Sequence, residues 1–424
     1  MLFRSEDCLQ YLSGDFAFIL WDSNRQQLFC AKDRLGLRQL YYAQVGNALV
    51  LCNSLDCLRK YPGVTAKLNE QAVGDFLLFG NYTWLDKSVT IFADIQKIPP
   101  AHFLLCQDEN LTIKRYWDVP LEVPLLRYKK EADYIAHFHE IFTNAVKDRM
   151  RTDKIVISMS GGMDSTSVAA TACRIATEMS NPPQIQAFTV VYDRIHPDQE
   201  RYYSGLVAEK LGLPIHYFVG DDYQMLNPFV KTPEPTLDFF PAMRRVQKRT
   251  QATLGRVSLT GIIADNLLSP SPVKTAFREM NPFRVLLQLL RLQRQFGKKL
   301  SLGSRIINKI KNRILSDPSN STSRYPYWFN PEFEAKLQLA DRWQSLSAWD
   351  PSPINPRHPE AHKWLVFPDW SYGMDYASEI GFTESEIRDP FMDLRVIEFA
   401  LSLPLVPWFF EKYLLRQAMK AELP

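Results

Sequence analysis

The sequence contains no run of 18 apolar residues, and its N-terminus lacks the layout of a signal peptide. The first absence argues against a transmembrane helix, and the second gives no indication of export. Six cysteines occur without CxxC spacing, which argues against a metal cluster and against a disulfide scaffold. The formal charge of +3 is too small to predict nucleic-acid binding. We therefore expect a cytoplasmic protein with reduced thiols, without a nucleic-acid partner.

A strand, a glycine turn and a helix follow one another at residues 154–179. Residues 154–158 form a mainly β-branched run, and apolar residues recur at helical spacing from Val168 to Met179. Between them lies Ser-Gly-Gly-Met-Asp-Ser, the SGGMDS turn of residues 160–165. Its glycines let the backbone approach a ligand, and the helix N-terminus offers N–H groups to an anion. Asp164 suits a Mg²⁺ ion that bridges to phosphate oxygens.

The SGGMDS turn differs from the GxxxxGK[ST] loop because no Lys follows its glycines. It resembles the pyrophosphate loop of the ATP pyrophosphatases, which include asparagine synthetases, β-lactam synthetases and lasso-peptide cyclases. This resemblance implies cleavage of ATP between its α and β phosphates, with Mg²⁺ as a cofactor. It also implies nucleotide contacts from Ser158, Ser160, Gly161, Gly162, Asp164 and Ser165. An ordinary strand–turn–helix unit is the alternative.

Residues 8–118 show short strands that predict an antiparallel meander. The patterns GxFAxxxxD and A-[KR]-DxxGxRxLYY resemble the second half of a class II glutamine amidotransferase domain. Leu2 and Phe3 stand where that family has its nucleophilic cysteine and a glycine. We therefore expect this chain, as given, not to hydrolyse glutamine by that mechanism, either because it is natively short or because it is a fragment. A purely structural role, as a sheet packed on the following domain, is the alternative.

Helical and strand patterns alternate from residue 131 onward, with further strands expected at 185–192 and 214–219. This order predicts an α/β fold, a parallel sheet with helices on both faces, whose ligands bind beyond the strand C-termini. Val191 lies at that rim, and the family places adenine near this second strand. We expect an incomplete amidotransferase-like domain at 1–119. An asparagine synthetase-like ATP-binding domain is expected at 131–424, with a basic insert near 281–316.

Residues 256–266 predict another strand and its exit loop, which resembles the family segment SGEGADE. The resemblance places Gly261 at the nucleotide and makes Asp265 the second carboxylate ligand of Mg²⁺, although a turn or cap role is the alternative. Ile262 departs from the family, because asparagine synthetases have Glu there and β-lactam synthetases have Tyr. Isoleucine cannot transfer a proton, which weakens a specific asparagine synthetase reading without affecting adenylation.

Residues 386–399 resemble the family segment ExRxPFLDxRLVEF, and residues 411–416 match its KxxLR. Together with Asp164, Lys412 is the expected catalytic residue, since an ammonium can neutralise negative charge on phosphates. A surface lysine is the alternative. Relatives continue beyond Pro424, which adds to the expectation of a fragment.

The segment 281–316 carries nine cations and no carboxylate: Arg284, Arg291, Arg294, Lys298, Lys299, Arg305, Lys309, Lys311 and Arg313. It predicts either a solvated helix face or a docking surface for an acidic protein, a peptide or a membrane lipid. Residues 316–324 are a candidate mobile loop.

We interpret the chain as an ATP-dependent amide-forming ligase that activates a carboxylate as an acyl-adenylate and releases pyrophosphate. The amine is either ammonia, with aspartate as the carboxylate, or the N-terminus of a peptide precursor, as in lasso-peptide cyclases. The absent cysteine, Ile262 and the basic insert favour the peptide. The alternatives are an asparagine synthase fragment that uses glutamine or ammonia with aspartate, and a non-catalytic relative that binds nucleotide.

Overall fold

The computed structural model describes residues 2–80, 86–108, 110–195, 198–228, 234–235, 238–268, 273–297, 325–347, 353–366 and 385–424. Within these ranges, no helix has the length and apolar character needed to cross a membrane. Part of the basic insert, from Lys298 onward, and the candidate mobile loop at 316–324 lie outside the described residues.

The N-terminal part folds into two antiparallel sheets. One sheet has the order β1-β2-β6-β7 and the other the order β4-β3-β5. The strands are β1 Ala17–Asp22, β2 Gln27–Lys32, β3 Tyr41–Val45, β4 Ala48–Cys52, β5 Ile95–Lys97, β6 His102–Gln107 and β7 Asn110–Arg115. A 3₁₀ helix, Leu2–Gln10, precedes them, and the helices α1 Leu55–Leu58 and α2 Glu70–Phe79 separate β4 from β5.

This arrangement corrects the expected single meander. Three local hairpins exist, but β6 returns to pair with β2, so the first sheet omits β3 to β5. In the second sheet β5 pairs with β3 and not with β4, so its strands are not in sequence order. The hairpins themselves follow from local turn chemistry. The carboxylate of Asp22, for example, accepts hydrogen bonds from the N–H groups of Asn24 and Arg25 at the β1–β2 turn. Long-range pairing of β6 and β5 cannot be read from such local signals.

The remainder of the chain is built on a five-stranded parallel sheet of order β10-β9-β8-β11-β12, which confirms the predicted α/β class. Its strands are β8 Lys154–Ser158, β9 Gln184–Val191, β10 Ile215–Val219, β11 Val257–Leu259 and β12 Glu386–Arg388. The first four coincide with expected strands, whereas β12 lies in a motif to which no strand was assigned. The central strand β8 has three fully buried residues, as expected for a strand covered on both faces.

Helices surround this sheet and join its strands. They are α3 Glu131–Arg149, α4 Met163–Thr177, α5 Glu200–Leu211, α6 Pro241–Leu254, α7 Ala264–Leu267, α8 Val273–Glu279, α9 Pro282–Phe296, α10 Pro331–Leu337, α11 Leu339–Ser347, α12 Pro359–Val366, α13 Leu394–Ser402 and α14 Tyr413–Ala418. Two 3₁₀ helices, Pro390–Met392 and Phe410–Lys412, precede α13 and α14.

The N-terminal sheets pack on the parallel-sheet unit. Leu35 and Leu37 join the large apolar core that contains β8, α3 and α4. The buried guanidinium of Arg149, at the end of α3, pairs with Asp15 at 3.4 Å and with Asp393 at 2.7 Å. A cavity of about 500 Å³ lies between the two parts and is lined by Arg and acidic side chains. The placement of domain boundaries at 119 and 131 stays a prediction.

Candidate active site

The SGGMDS turn leaves β8 and enters α4 at the ligand-binding rim of the sheet, as the sequence predicts. Gly161 is required by a close neighbour. A Cβ atom on Gly161 would lie 2.3 Å from the Cβ of Tyr203. Gly162 is the N-cap residue of α4, with an extended backbone. The turn is therefore held tightly between β8 and α5.

Three backbone N–H groups of the SGGMDS turn already have hydrogen-bond partners, although the sequence predicts that they are free for an anion. Ser160 N–H donates to Ser165 Oγ at 2.9 Å, and Gly162 N–H donates to Ser160 Oγ at 3.2 Å. Gly161 N–H donates to the carboxylate of Glu200 at 2.6 Å. The turn thus binds an anionic group, but that group is a side chain from the first turn of α5. The sequence analysis assigned no role to Glu200, because 39 residues separate it from Gly161.

Three residues far apart in sequence meet beside this turn. The ammonium of Lys412 lies 2.6 Å from Asp164 Oδ2 and 2.6 Å from Asp265 Oδ1. Asp164 opens α4 with its side chain 13% exposed, whereas Asp265, in α7, is 72% exposed. The structure therefore brings together the two predicted metal ligands and the predicted catalytic lysine. Their chemical roles stay predictions.

The protonation of these groups follows from burial and from their contacts. Burial of Lys412 acts to lower its pKa, but the hydrogen bonds to Asp164 and Asp265 outweigh it and raise the pKa above the ordinary lysine value. Burial raises the pKa of the Asp164 carboxyl group, and the nearby Asp265 acts in the same direction, while Lys412 opposes both. One ammonium thus compensates two carboxylates that would otherwise repel each other.

Backbone geometry brings these residues together. A Cβ atom on Gly261 would lie 2.8 Å from the carbonyl carbon of Asp164 and 2.8 Å from the nitrogen of Ser165. The loop after β11 therefore touches the first turn of α4, and this contact places Asp265 opposite Asp164. Lys412 and its neighbour Glu411 both have left-handed backbone conformations, with φ values of 55° and 49°.

The oxygen atoms of Asp164 and Asp265 suit a Mg²⁺ ion. Asp164 Oδ1 is buried and has no hydrogen-bond partner, and Asp265 is largely exposed, so both carboxylates keep oxygen atoms for a hard cation. Within the described ranges, no group of three or more His, Cys, Asp or Glu side chains forms a metal cluster. The two residues fit a Mg²⁺ ion whose remaining ligands are phosphate oxygens and water.

The other predicted contacts lie at the same rim but differ in availability. The hydroxyl of Ser158 is engaged with Ser258 at 3.0 Å and with Gln251 at 2.9 Å. The Val191 side chain is fully buried, and its carbonyl accepts a hydrogen bond from Gly220. Ile262, which follows Gly261 in the loop that leads to Asp265, is 62% exposed. The polar groups of Ser158 and Val191 are therefore already engaged within the protein, and these residues help to form the rim.

Asp389 is a residue of this region that the sequence analysis missed. It is 2% exposed and accepts hydrogen bonds from Thr260 Oγ1 and Ile263 N–H, both at 3.2 Å. Burial raises its pKa to about 6. Asp389 therefore fixes the loop that carries Gly261 and leads to Asp265. The only sequence signal was an acidic residue directly before Pro390 in the motif at 386–399.

Comparison with known protein families gives two matches. The profile described as a glutamine amidotransferase domain matches residues 3–117. The profile described as asparagine synthase matches residues 137–424, which is more than half of the chain and includes every residue of the site above.

Individual proteins show the same similarity at lower coverage. The chain is 28% identical to amidase chry2 of Gibberella zeae over 53% of the chain and 34% of that protein. It is 32% identical to asparagine synthetase [glutamine-hydrolyzing] 3 of Bacillus subtilis over 39% of the chain and 26% of that protein. The chain thus spans about a third or less of the length of these curated relatives. Among solved structures, U34-tRNA thiolase NcsA from Methanococcus maripaludis covers 72% of the chain and is itself covered over 91%, at 13% identity and a TM-score of 0.24.

Proposed function

Because the chain belongs to the asparagine synthase family, we propose that it is an ATP-dependent amide-forming ligase that activates a carboxylate as an acyl-adenylate. In this reaction a carboxylate oxygen attacks the α phosphorus of ATP. A new P–O bond forms, the bond to the β phosphate breaks, and pyrophosphate leaves. An amine then attacks the acyl carbon, giving an amide and AMP.

The observation that carries this proposal is the contact of Lys412 with both Asp164 and Asp265 at the N-terminus of α4. Cationic and dipolar groups converge there on the place where a leaving pyrophosphate would accumulate charge. Lys412 neutralises that charge in the proposed reaction. The SGGMDS turn orients the phosphates once its N–H groups exchange Glu200 and the serine hydroxyls for phosphate oxygens. Mg²⁺, held by Asp164 and Asp265, would supply additional neutralisation of phosphate charge.

The choice between the two amine substrates depends on Ile262. Ile262 is exposed at the rim and has no group that can accept a proton from the attacking amine. Because asparagine synthetases have Glu at this position, and because the arginines of α9 suit a peptide, we favour the N-terminus of a peptide precursor, as in a lasso-peptide-type cyclase, over ammonia with aspartate. The enzyme in this proposal works in the cytoplasm.

The basic segment fits a peptide-binding role. On α9, Arg284, Arg291 and Arg294 accompany apolar side chains that remain exposed, including Phe283 and Leu287. An acidic peptide or protein would pair with these cations. Replacing the three arginines by Glu should weaken peptide binding, and the wild-type affinity should fall with added salt. Equal affinity for wild type and variant would leave α9 as a solvated face.

The reaction is tested by separating the nucleotide products after incubation with ATP, Mg²⁺ and each substrate pair. AMP and pyrophosphate are expected, and ADP as the sole product contradicts the proposal. The absence of turnover and of ATP–pyrophosphate exchange with every substrate pair, despite ATP binding, identifies a non-catalytic nucleotide-binding relative.

The role of Lys412 is tested by Lys412→Met, with the exposed Lys420→Met as the matched control. Because its charge matters most as pyrophosphate leaves, Lys412→Met should lower kcat more than it weakens ATP binding. Loss of ATP affinity with unchanged kcat would assign Lys412 to ground-state binding alone. The control should behave as the wild type.

A further inference from the structure

A second buried cation, Lys248 on α6, has no role in the site described so far. It is 7% exposed, and among the residues that the structure describes it forms neither a hydrogen bond nor an ion pair. Burial, with a smaller effect of the nearby Arg244, lowers its pKa to about 8. Most of the Lys248 side chain is buried, but its ammonium has no protein partner among the described residues, which leaves it available to an anion.

Contacts at its C-terminal end show in which direction α6 runs. Gly255, just after α6, lies against the start of β8, since a Cβ atom there would be 2.9 Å from the carbonyl oxygen of Lys154. One turn earlier, Gln251 donates to the hydroxyl of Ser158 at the other end of β8. Moving backward along α6 therefore means moving forward along β8, toward the ligand-binding rim.

Lys248 lies one further turn in the same direction. It precedes Gln251 by three residues, so the two side chains share one face of the helix. Five residues before Lys248, the sulfur of Met243 accepts a contact from Tyr192 Oη at 3.7 Å, directly beyond the end of β9. Lys248 is thus bracketed by contacts to the ends of β8 and β9, at the C-terminal rim of the sheet.

We propose that the ammonium of Lys248 binds the α-phosphate of the nucleotide. This inference rests on the proposed function, in which pyrophosphate lies at the N-terminus of α4, and on the family resemblance, which implies that adenine lies near the second strand, β9. The α-phosphate joins these two groups and must cross the interval that Lys248 occupies. Lys412 then faces the pyrophosphate that leaves, whereas Lys248 holds the phosphate that stays with the acyl group.

The separate roles of Lys248 and Lys412 are tested by calorimetric titration of AMP and, in a second experiment, of Mg²⁺-pyrophosphate. Lys248→Met should raise the Kd of AMP by about 10- to 100-fold, the usual effect of removing a hydrogen bond to a charged group. The affinity for pyrophosphate should stay at the wild-type value. Lys248→Arg, which keeps the charge, should retain most of the AMP affinity. The exposed Lys147→Met on α3 is the matched control and should bind both ligands as the wild type does.

Two results would overturn the proposal. Unchanged AMP affinity in Lys248→Met would leave Lys248 a structural residue, for instance one that turns toward Gln251 Oε1, which is buried without a partner. Equal losses for AMP and pyrophosphate would indicate general damage to the rim.

A measurement on the wild-type protein avoids any folding defect of the variants. Lysine acylation is followed by peptide mass spectrometry near pH 8, where part of the Lys248 population is uncharged and reactive. AMP should protect Lys248, and unchanged labelling at saturating AMP would refute the assignment. Protection by AMP needs no acyl substrate. Protection together with no ATP–pyrophosphate exchange in the presence of any substrate pair would therefore contradict the ligase proposal and leave the role of Lys248 intact.

Discussion

Gly261→Ala should disturb the site by a predictable amount. The new methyl group would lie 2.8 Å from two backbone atoms of the first turn of α4. No side-chain rotation can relieve this overlap, so the loop must move by about 0.6 Å to reach an ordinary contact distance near 3.4–3.5 Å. The ammonium of Lys412 is 2.6 Å from both carboxylates, so their separation would lengthen one or both of these short contacts and weaken them.

The energetic consequences follow from this displacement. Overpacking of this kind costs about 1–3 kcal/mol, which corresponds to a fall in Tm of roughly 2–5 °C for a domain of about 290 residues. A misplacement approaching 1 Å can cost about 100-fold in rate. We therefore expect a lower Tm, weaker MgATP binding and slower ATP–pyrophosphate exchange.

Differential scanning calorimetry and titration with MgATP measure these effects. The control is Gly205→Ala in the middle of α5, where the nearest atom to the new methyl group is the flexible Tyr217 hydroxyl at 3.1 Å. Its helix propensity improves by up to about 1 kcal/mol, so its Tm should not fall. Wild-type Tm and MgATP affinity in Gly261→Ala would refute the reasoning.

Three further predictions concern the carboxylates, the junction of the two parts and pH. Asp164→Asn and Asp265→Asn should each weaken Mg²⁺-dependent ATP binding, and the double variant should lose less than the sum; additive losses in the cycle would contradict a shared ion. Arg149→Met removes the buried cation that pairs with Asp15 and Asp393, although Asp393 keeps its pair with Arg395, and should cost up to about 3–5 kcal/mol in urea unfolding. Arg115→Met, which breaks an exposed pair, should cost less than about 1 kcal/mol, and equal losses would be inconsistent with the burial argument. Burial lowers the pKa of His358 from 6.5 to about 4. Between these pH values the unfolded chain binds a proton that the folded protein does not bind. Full stability is therefore present above pH 6.5, and roughly 3 kcal/mol of it is lost as the pH falls toward 4. His358→Gln should flatten the fall of stability across that window, and an unchanged slope would count against it.

The sequence predicts the strand and the helix that form the site better than it predicts the contacts between residues of the site. The β-branched run before Gly161 and the apolar spacing after it are local signals, and β8 and α4 appear where those signals place them. The meeting of Asp164, Asp265 and Lys412 was expected only from family resemblance, since nothing local connects residues up to 248 positions apart.

The contacts that were missed are all long-range. The hydrogen bond from Gly161 to Glu200 and the support of Ile263 by Asp389 depend on how α5 and β12 pack against the rim. The long-range pairing of β6 with β2 and of β5 with β3 in the two N-terminal sheets has the same origin. Local propensity and periodicity contain no term for such packing, so a single sequence cannot supply it.

The left-handed conformations of Glu411 and Lys412 store backbone strain in this part of the chain. Each such residue costs of order 1–3 kcal/mol when it is not glycine, and this energy is balanced by the surrounding contacts. Two of these contacts are the ion pairs of Lys412 with Asp164 and Asp265. Asp164 and Asp265 are also the residues that would hold Mg²⁺ in the proposed function. A cation bound to them would compete with the Lys412 ammonium for the same oxygen atoms, so metal binding would weaken the contacts that hold this strained backbone in place.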